Sequence, residues 1–370
     1  MKSKFDIVYI THDSLQEGIG MSQIVPIVLG LAENGWRVCV ISCEKKSNYS
    51  VLDAEFTASE IHWKKINFGK TGTLGGASRL FRLAFNLPKA KAYHCRGDLA
   101  AVACVLRLRK NFLWDVRGLW VDQKLVIGSI SKNKIIINIA RKLESISAKN
   151  AKAVSTLTKA VYPILKNRNP KLTDFHTVIP TCTDLKLFSF ESKLPLPKKL
   201  LLSGVFNNYY DIDAIKIFIA EYRKNEPLLV TWCHGHEATR DTLGVGENEI
   251  KVLKQNEMQN EIKNSSFGLA ICKSGIGDSL TGVMPTKVAE FLAVGRPVVV
   301  SEGIGDLEDL LTSTRTGIIL RSNIPNSIKE LNDLLLDPLT SIRCRKLAET
   351  HFDIENAINE YIKIFKKLLS

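Results

Sequence analysis

Between residues 285 and 306 the sequence reads "PTKVAEFLAVGRPVVVSEGIGD", which joins a Pro-Thr-Lys turn, a helix-sized apolar stripe, a Gly-Arg-Pro break, a valine run and a glycine-rich loop. Glu290 is the charged residue of that helix, set between Lys287 at its start and a buried strand at its end. The N–H groups that open a helix suit a phosphate, as does the positive end of its dipole, and a lysine there adds a full charge. Two further clusters carry chemistry-bearing types. His94 and Arg96 end the run "AYHCR" with Asp98 close behind, and Asp115, Arg117, Trp120 and Asp122 follow the apolar start of "NFLWDVRG". An arginine beside two aspartates reads equally as scaffolding, and a histidine at a strand end equally as a structural one.

These groups are placed by an alternation of short β-rich runs and helical stretches. "FDIVYIT" (5 to 11), a loop with Gly18 and Gly20, the helix "SQIVPIVLGLAENG" and the strand "WRVCVIS" (36 to 42) make a βαβ unit, so a parallel sheet is expected. The glycines do not spell G-x-G-x-x-G, and no acid ends the second strand until Glu44, so a dinucleotide site is weakly supported. Later strands are expected at 92–96, 111–118, 153–158 and 175–180, with a basic-faced helix over 133–151. "KLPLPKKL" (193 to 200) reads as a linker. Beyond it a second alternating series runs through "LLLSGVF", "DAIKIFIAEYRKN", "LLVTWCHG", a helix near 248 to 263, "FGLAICK", "TKVAEFLAVG", "PVVVSE" and "TGIIL". An amphipathic helix over about 354 to 369 closes the chain.

At 370 residues the chain exceeds one ordinary core, and two domains follow. No signal peptide and no membrane-length apolar run is found, so a cytoplasmic location is expected. The eight cysteines are scattered without a C-x-x-C pair and read as small hydrophobes. The net charge of +13 is unevenly spread. Residues 1–190 hold 29 Lys and Arg against 14 Asp and Glu, whereas residues 191–370 hold 22 against 24. One half therefore faces something anionic: a membrane, a phosphate-bearing substrate or, least supported, nucleic acid, for which no recognition signature is present.

In family order over nearly the whole chain stand the Gly18–Gln23 loop, "WDVRGLWVDQK" (114 to 124), "KLESISAKNAKAVSTLTKA" (142 to 160), "VIPTCTDLKLF" (178 to 188), "GVFNNYYD" (204 to 211) and the 285–306 stretch. In these the chain resembles bacterial GT-B glycosyltransferases of the retaining, family-4 type. The resemblance implies an α/β fold of two Rossmann-like, doubly wound domains facing a central cleft. It implies an acceptor domain over 1–190, a nucleotide-sugar domain over 191–353, and a helix over 354–370 that crosses back to the N-terminal domain. Glu290 would accept hydrogen bonds from the ribose hydroxyls of the donor, for which a carboxylate with two acceptor oxygens is suited. Gly18, Gly20, Pro285, Thr286 and Lys287 would line the donor, with Lys273 and Ser274 as further diphosphate contacts. Arg96, Asp115, Trp120 and Asp122 would stand on the acceptor side, and His94 and Arg117 near the transferred sugar.

The chain departs from the common pattern at Gly282, eight residues before Glu290, where many relatives carry a second glutamate; Asp278 or a backbone amide of the Gly275 to Met284 loop is the candidate replacement. The usual Arg and Lys pair is likewise replaced by Asn207, Asn208, Tyr209 and Tyr210. The expected reaction is retaining transfer of a hexose-type sugar to a glycan or lipid-diphosphate-linked acceptor in surface polysaccharide synthesis, by front-face attack in which the leaving diphosphate takes the acceptor's proton. Neither metal nor other cofactor is expected. The segment "GASRLFRLAFNLPKAKAY" (76 to 93) pairs apolar with basic residues as interfacial helices do. With the charge of its half, it suggests a peripheral enzyme at the inner face of the cell membrane. A nucleotide-sugar epimerase of this fold and a non-catalytic binding subunit are the alternatives.

Overall fold

The computed structural model describes residues 4–16, 18–45, 49–128, 130, 132–204, 209–233, 250–251 and 255–370. Asn207 and Asn208 lie outside the described residues, as does most of the stretch between 234 and 254. The chain divides into two compact units, Met1–Pro180 with Ile354–Ser370, and Thr181–Asp353. The division falls ten residues before the expected boundary at 190, and residues 193–200 belong to the second unit.

The first unit is built on strands β1 (Phe5–Ile10), β2 (Val38–Glu44), β3 (His62–Asn67), β4 (Ala90–Arg96), β5 (Phe112–Val116), β6 (Ala153–Thr156) and β7 (His176–Val178). They form one parallel sheet in the order β3-β2-β1-β4-β5-β6-β7. β1, β2 and β5 are buried along their full lengths and are mostly apolar, as doubly covered parallel strands are, with Asp6, Glu44 and Asp115 as buried acids among them. β3 was not evident in the sequence because it is an edge strand, with Lys64 and Lys65 in "HWKKIN". The connecting helices are α1 (Val25–Glu33), α2 (Ser50–Ala58), α3 (Gly72–Phe85), α4 (Asp98–Leu106), α5 (Trp120–Ile127), α6 (Lys134–Asn150) and α7 (Val161–Arg168). α3 starts four residues before the expected amphipathic segment and stops at Phe85, since Pro88 and β4 follow at once.

The second unit has β8 (Lys199–Ser203), α8 (Ile212–Arg223), β9 (Leu229–Cys233), β10 (Ile250–Lys251), α9 (Gln255–Lys263), β11 (Phe267–Ala270), α10 (Thr286–Val294), β12 (Val298–Ser301), α11 (Leu307–Thr314), β13 (Gly317–Leu320), α12 (Ile324–Leu336) and α13 (Thr340–Leu347). Residues 250 and 251 are strand rather than helix start. Its sheet is again parallel, in the order β10-β9-β8-β11-β12-β13. Both sheets therefore reverse direction of strand addition once, between β1 and β4 and between β8 and β11, and ligands of open α/β sheets bind at the carboxyl ends of such strands.

The last helix, α14 (Ile354–Leu369), completes the first unit rather than the second. It packs on α1 so closely that a Cβ on Gly30 would stand 2.3 Å from Ile358 Cδ1. Tyr361 and Phe365 are buried there, and Asn111 donates to the Leu368 carbonyl at 3.0 Å.

Candidate donor and scaffold sites

In the second unit, α10 is fixed over the sheet by Phe291, whose ring fills the space a side chain at Gly268 of β11 would need, 2.5 Å away. Gly295 ends the helix in the left-handed conformation. The next residue, Arg296, is fully buried and donates to three carbonyls, those of Glu191 (2.8 Å), Lys193 (2.7 Å) and Lys263 (2.8 Å). The Gly-Arg-Pro break is thus a helix stop followed by a staple. Burial lowers the guanidinium's pKa to about 10, against the Glu191 charge that raises it.

That packing directs the start of α10 toward the switch point. Lys287 is buried with its ammonium 4.4 Å from the centre of the Tyr210 ring, and a Cβ on Gly204, just past β8, would lie 3.6 Å from Nζ. Tyr210 is held there because Tyr209 to Asp211 run antiparallel to the end of β11: Lys273 N–H donates to the Tyr209 carbonyl and Asp211 N–H to the Ile271 carbonyl. Glu290, one turn on, is half-buried, and burial pushes its carboxyl up to about 7 while Lys287 pulls it down. Lysine and glutamate thus share one helix face at the carboxyl ends of β8 and β11. Pro285 precedes the helix without a side-chain cap, and Thr286 is half-buried at its first position. Lys273, Ser274 and Asp278 are exposed on the loop between β11 and α10, and Gly282 on the same loop is buried. Leu280 ties this loop to the next by accepting from Gly305 N–H at 3.1 Å.

In the first unit the candidates assemble around Asp115, which is fully buried. It accepts from Ser155 Oγ (2.8 Å) and His94 Nε2 (3.1 Å) and lies 3.7 Å from Arg117 and 3.9 Å from Arg96. Burial pushes its carboxyl up, but Arg117, His94 and Arg96 together hold it well below the usual carboxylate range. An ionised Asp115 only accepts, so His94 carries its proton on Nε2. Burial keeps that imidazole neutral in spite of Asp115. The ring is wholly enclosed, 4.1 Å from Tyr9 and 4.7 Å from Tyr361 between centroids. His94 is therefore a scaffold residue rather than one that meets a sugar, because no atom of it reaches the surface. Arg117 donates weakly to the Ile179 carbonyl and Tyr361 Oη, and Arg96 also pairs with Asp13 at 3.4 Å.

Asp122 belongs to a different network. It accepts from Arg141 (2.6 Å) and Arg168 (3.1 Å), which also face buried Glu144, so it joins α5 to α6 and α7 as a structural ion-pair network. Trp120 is half-buried at the first position of α5. Gly20 is also structural: a Cβ there would be 2.1 Å from the Ser14 carbonyl. Gly18 is exposed in open space. Glu44 accepts from Ser14 Oγ (2.6 Å), Leu15 N–H (3.0 Å) and Ser42 Oγ (2.6 Å), so its carboxylate holds the loop after β1 and is not a dinucleotide ribose ligand. Sequence reasoning missed Tyr9, Asp13 and Tyr361; the only available signal was polar residues bordering buried runs. Among the described residues no three His, Cys, Asp or Glu side chains cluster as a metal site. None of their helices is long and apolar enough to cross a membrane.

Asp98 has its own pH signature. Burial, then Glu144, pushes its carboxyl up to about 7, although Trp114 Nε1 donates to it at 3.1 Å. Its contribution is fully present below the unfolded carboxylate value near 3.9 and is lost as pH rises toward 7. Asp98→Asn keeps the acceptor for Trp114, so the variant should gain about 2 to 4 kcal/mol on the wild type between pH 4 and 8. Urea unfolding at the two pH values checks this; parallel curves would disprove it.

No protein-family model matches the sequence, and no curated relative is found for it. Solved structures match over essentially full length. Sucrose-phosphate synthase from Thermosynechococcus elongatus has a TM-score of 0.72 at 14% identity, covering 98% of this chain and 99% of that one. A glycosyltransferase from Rickettsia africae gives 0.67 at 14%, covering 99% of each. HepE of Anabaena, in complex with UDP and glucose, gives 0.66 at 11%, covering 98% and 99%. The chain thus has the GT-B glycosyltransferase fold, with two parallel-sheet α/β domains.

Proposed function

We propose that this protein transfers a hexose-type sugar from a nucleoside-diphosphate donor to a glycan or lipid-linked acceptor, with retention and without a metal, in the synthesis of a surface polysaccharide. The observation that carries the reading is the Lys287–Glu290 pair, on one turn of α10 at the second unit's switch point, with the Lys287 ammonium against Gly204. An ammonium and uncapped helix N–H groups suit a diphosphate, and an adjacent carboxylate suits a ribose diol. The fold it shares with HepE, which was solved with UDP-glucose, supports a nucleotide sugar as donor. In this reading Lys287 offsets charge on the leaving diphosphate, while Glu290 fixes the nucleoside. Gly282 favours a second reading, a subunit that binds the nucleotide without turnover, which a donor-hydrolysis assay separates from the first.

The unfolding midpoint measured with UDP, GDP, TDP and CMP tests the donor site. A nucleotide at 100 times its Kd should stabilise by about 2.7 kcal/mol. Glu290→Ala should bind it roughly 10- to 150-fold more weakly, the value of one or two charge-assisted hydrogen bonds. If no nucleotide moves the midpoint, or Glu290→Ala responds as wild type does, the reading fails. Because the Glu290 carboxyl titrates at about 7, Kd should rise about tenfold from pH 8 to pH 6 in the wild type and less in Glu290→Gln. Transfer that is abolished by a chelator would overturn metal independence.

A further inference from the structure

We infer that the outer face of α3 is a docking surface for an anionic bilayer. Leu74, Phe81 and Phe85 are 86%, 55% and 77% exposed. At helical spacing they fall within about 40° of one another and make one stripe about 16 Å long. The opposite face of the same helix is buried through Leu80, Leu83 and Ala84, so the stripe is what remains after the core is formed.

The stripe is held rigid. Gly75 passes so close to the preceding loop that a Cβ would stand 1.8 Å from the Lys70 carbonyl, and Arg79 donates to that carbonyl at 2.7 Å. Arg82 donates to the Asn67 carbonyl at 2.7 Å. Exposed Lys70 and Lys89 flank the two ends of the helix. α3 packs against α4 and α4 against α6, so one helical layer also carries exposed Ile135 and Ile139, next to Lys134 on α6.

Charge selects the occupant. Between Glu60 and Asp174 there are twenty-three lysines and arginines and four acids. Asp98, Asp115 and Glu144 are buried, and Asp122 is held by Arg141 and Arg168, so the exposed charged side chains of this stretch are basic, although some of its arginines, such as Arg79 and Arg96, are buried. An apolar stripe between lysines, in a stretch whose own carboxylates are buried or paired, matches the interface of a bilayer containing acidic lipids. Nucleic acid would be served by the charge alone and has no use for the stripe.

Vesicle co-sedimentation of the full chain tests this independently of any catalytic reading. Binding should be at least tenfold stronger on vesicles with about one-third phosphatidylglycerol than on phosphatidylcholine alone, and should weaken in about 0.5 M salt. Phe81→Ser/Phe85→Ser should bind at least about tenfold more weakly with an unchanged unfolding midpoint and an unchanged nucleotide response. Leu74→Asp, at the most exposed position, gives the same readout if the double variant folds poorly. Equal binding to neutral vesicles, or wild-type binding by these variants, overturns the proposal. So does light scattering that shows the wild type as a dimer and the stripe variants as monomers, or retention on nucleic acid without vesicle binding.

Discussion

Asp115→Asn should destabilise the first unit by about 3 to 5 kcal/mol, the loss typical when one member of a buried charge cluster is removed. The carboxylate is fully buried, with two arginines within 4 Å and bonds from His94 and Ser155. Asparagine keeps the shape and an acceptor but removes the charge that Arg96 and Arg117 share, with Asp13 remaining beside Arg96 at 3.4 Å. The double variant Asp115→Asn/Arg117→Met should recover part of the loss, since it removes one uncompensated charge. Urea denaturation reads both. A single-variant loss below about 1 kcal/mol would mean that the cluster is not the anchor described above.

Arg296→Met should be nearly as damaging to the second unit, by about 3 to 5 kcal/mol, because three backbone carbonyls lose a buried donor at once. Methionine restores most of the apolar volume, so the loss reports the hydrogen bonds rather than a cavity. Arg296→Lys should recover only a part, as a single ammonium on a flexible stem does not reproduce the planar fork. The melting transition should fall by roughly 10 °C, and a fall of less than about 2 °C would contradict the staple.

The alternation of buried strands with apolar-periodic helices was legible in the sequence, because parallel strands covered on both faces are mostly apolar. The terminal helix was legible in extent, with one face of Ile358, Tyr361, Ile362, Phe365 and Leu368, but its partner was not, since an amphipathic face does not name what covers it. The nearness of Lys287 to Glu290 follows from spacing alone. The nearness of Lys287 to Tyr210 and Gly204 does not, because it depends on a chain reversal after β8 that no local pattern encodes. His94, Asp115 and Asp122 show the opposite limit. Their types suggest chemistry, yet only burial and partners distinguish a reacting group from a strut, and here His94 is enclosed by Tyr9 and Tyr361 while Asp122 is held by two arginines. Arg296 was passed over because a buried arginine leaves the same trace in a sequence as an exposed one.

The place of α14 has a bearing on how the protein is made. Its Tyr361 and Phe365 cover His94, yet about two hundred and seventy residues separate them from that histidine in the chain. During synthesis the second unit, which is continuous from Thr181 to Asp353, emerges whole while the first still lacks a wall. The first unit therefore waits with an open aromatic socket until the last turns leave the ribosome, and the charged cluster at Asp115 is sealed from water only then.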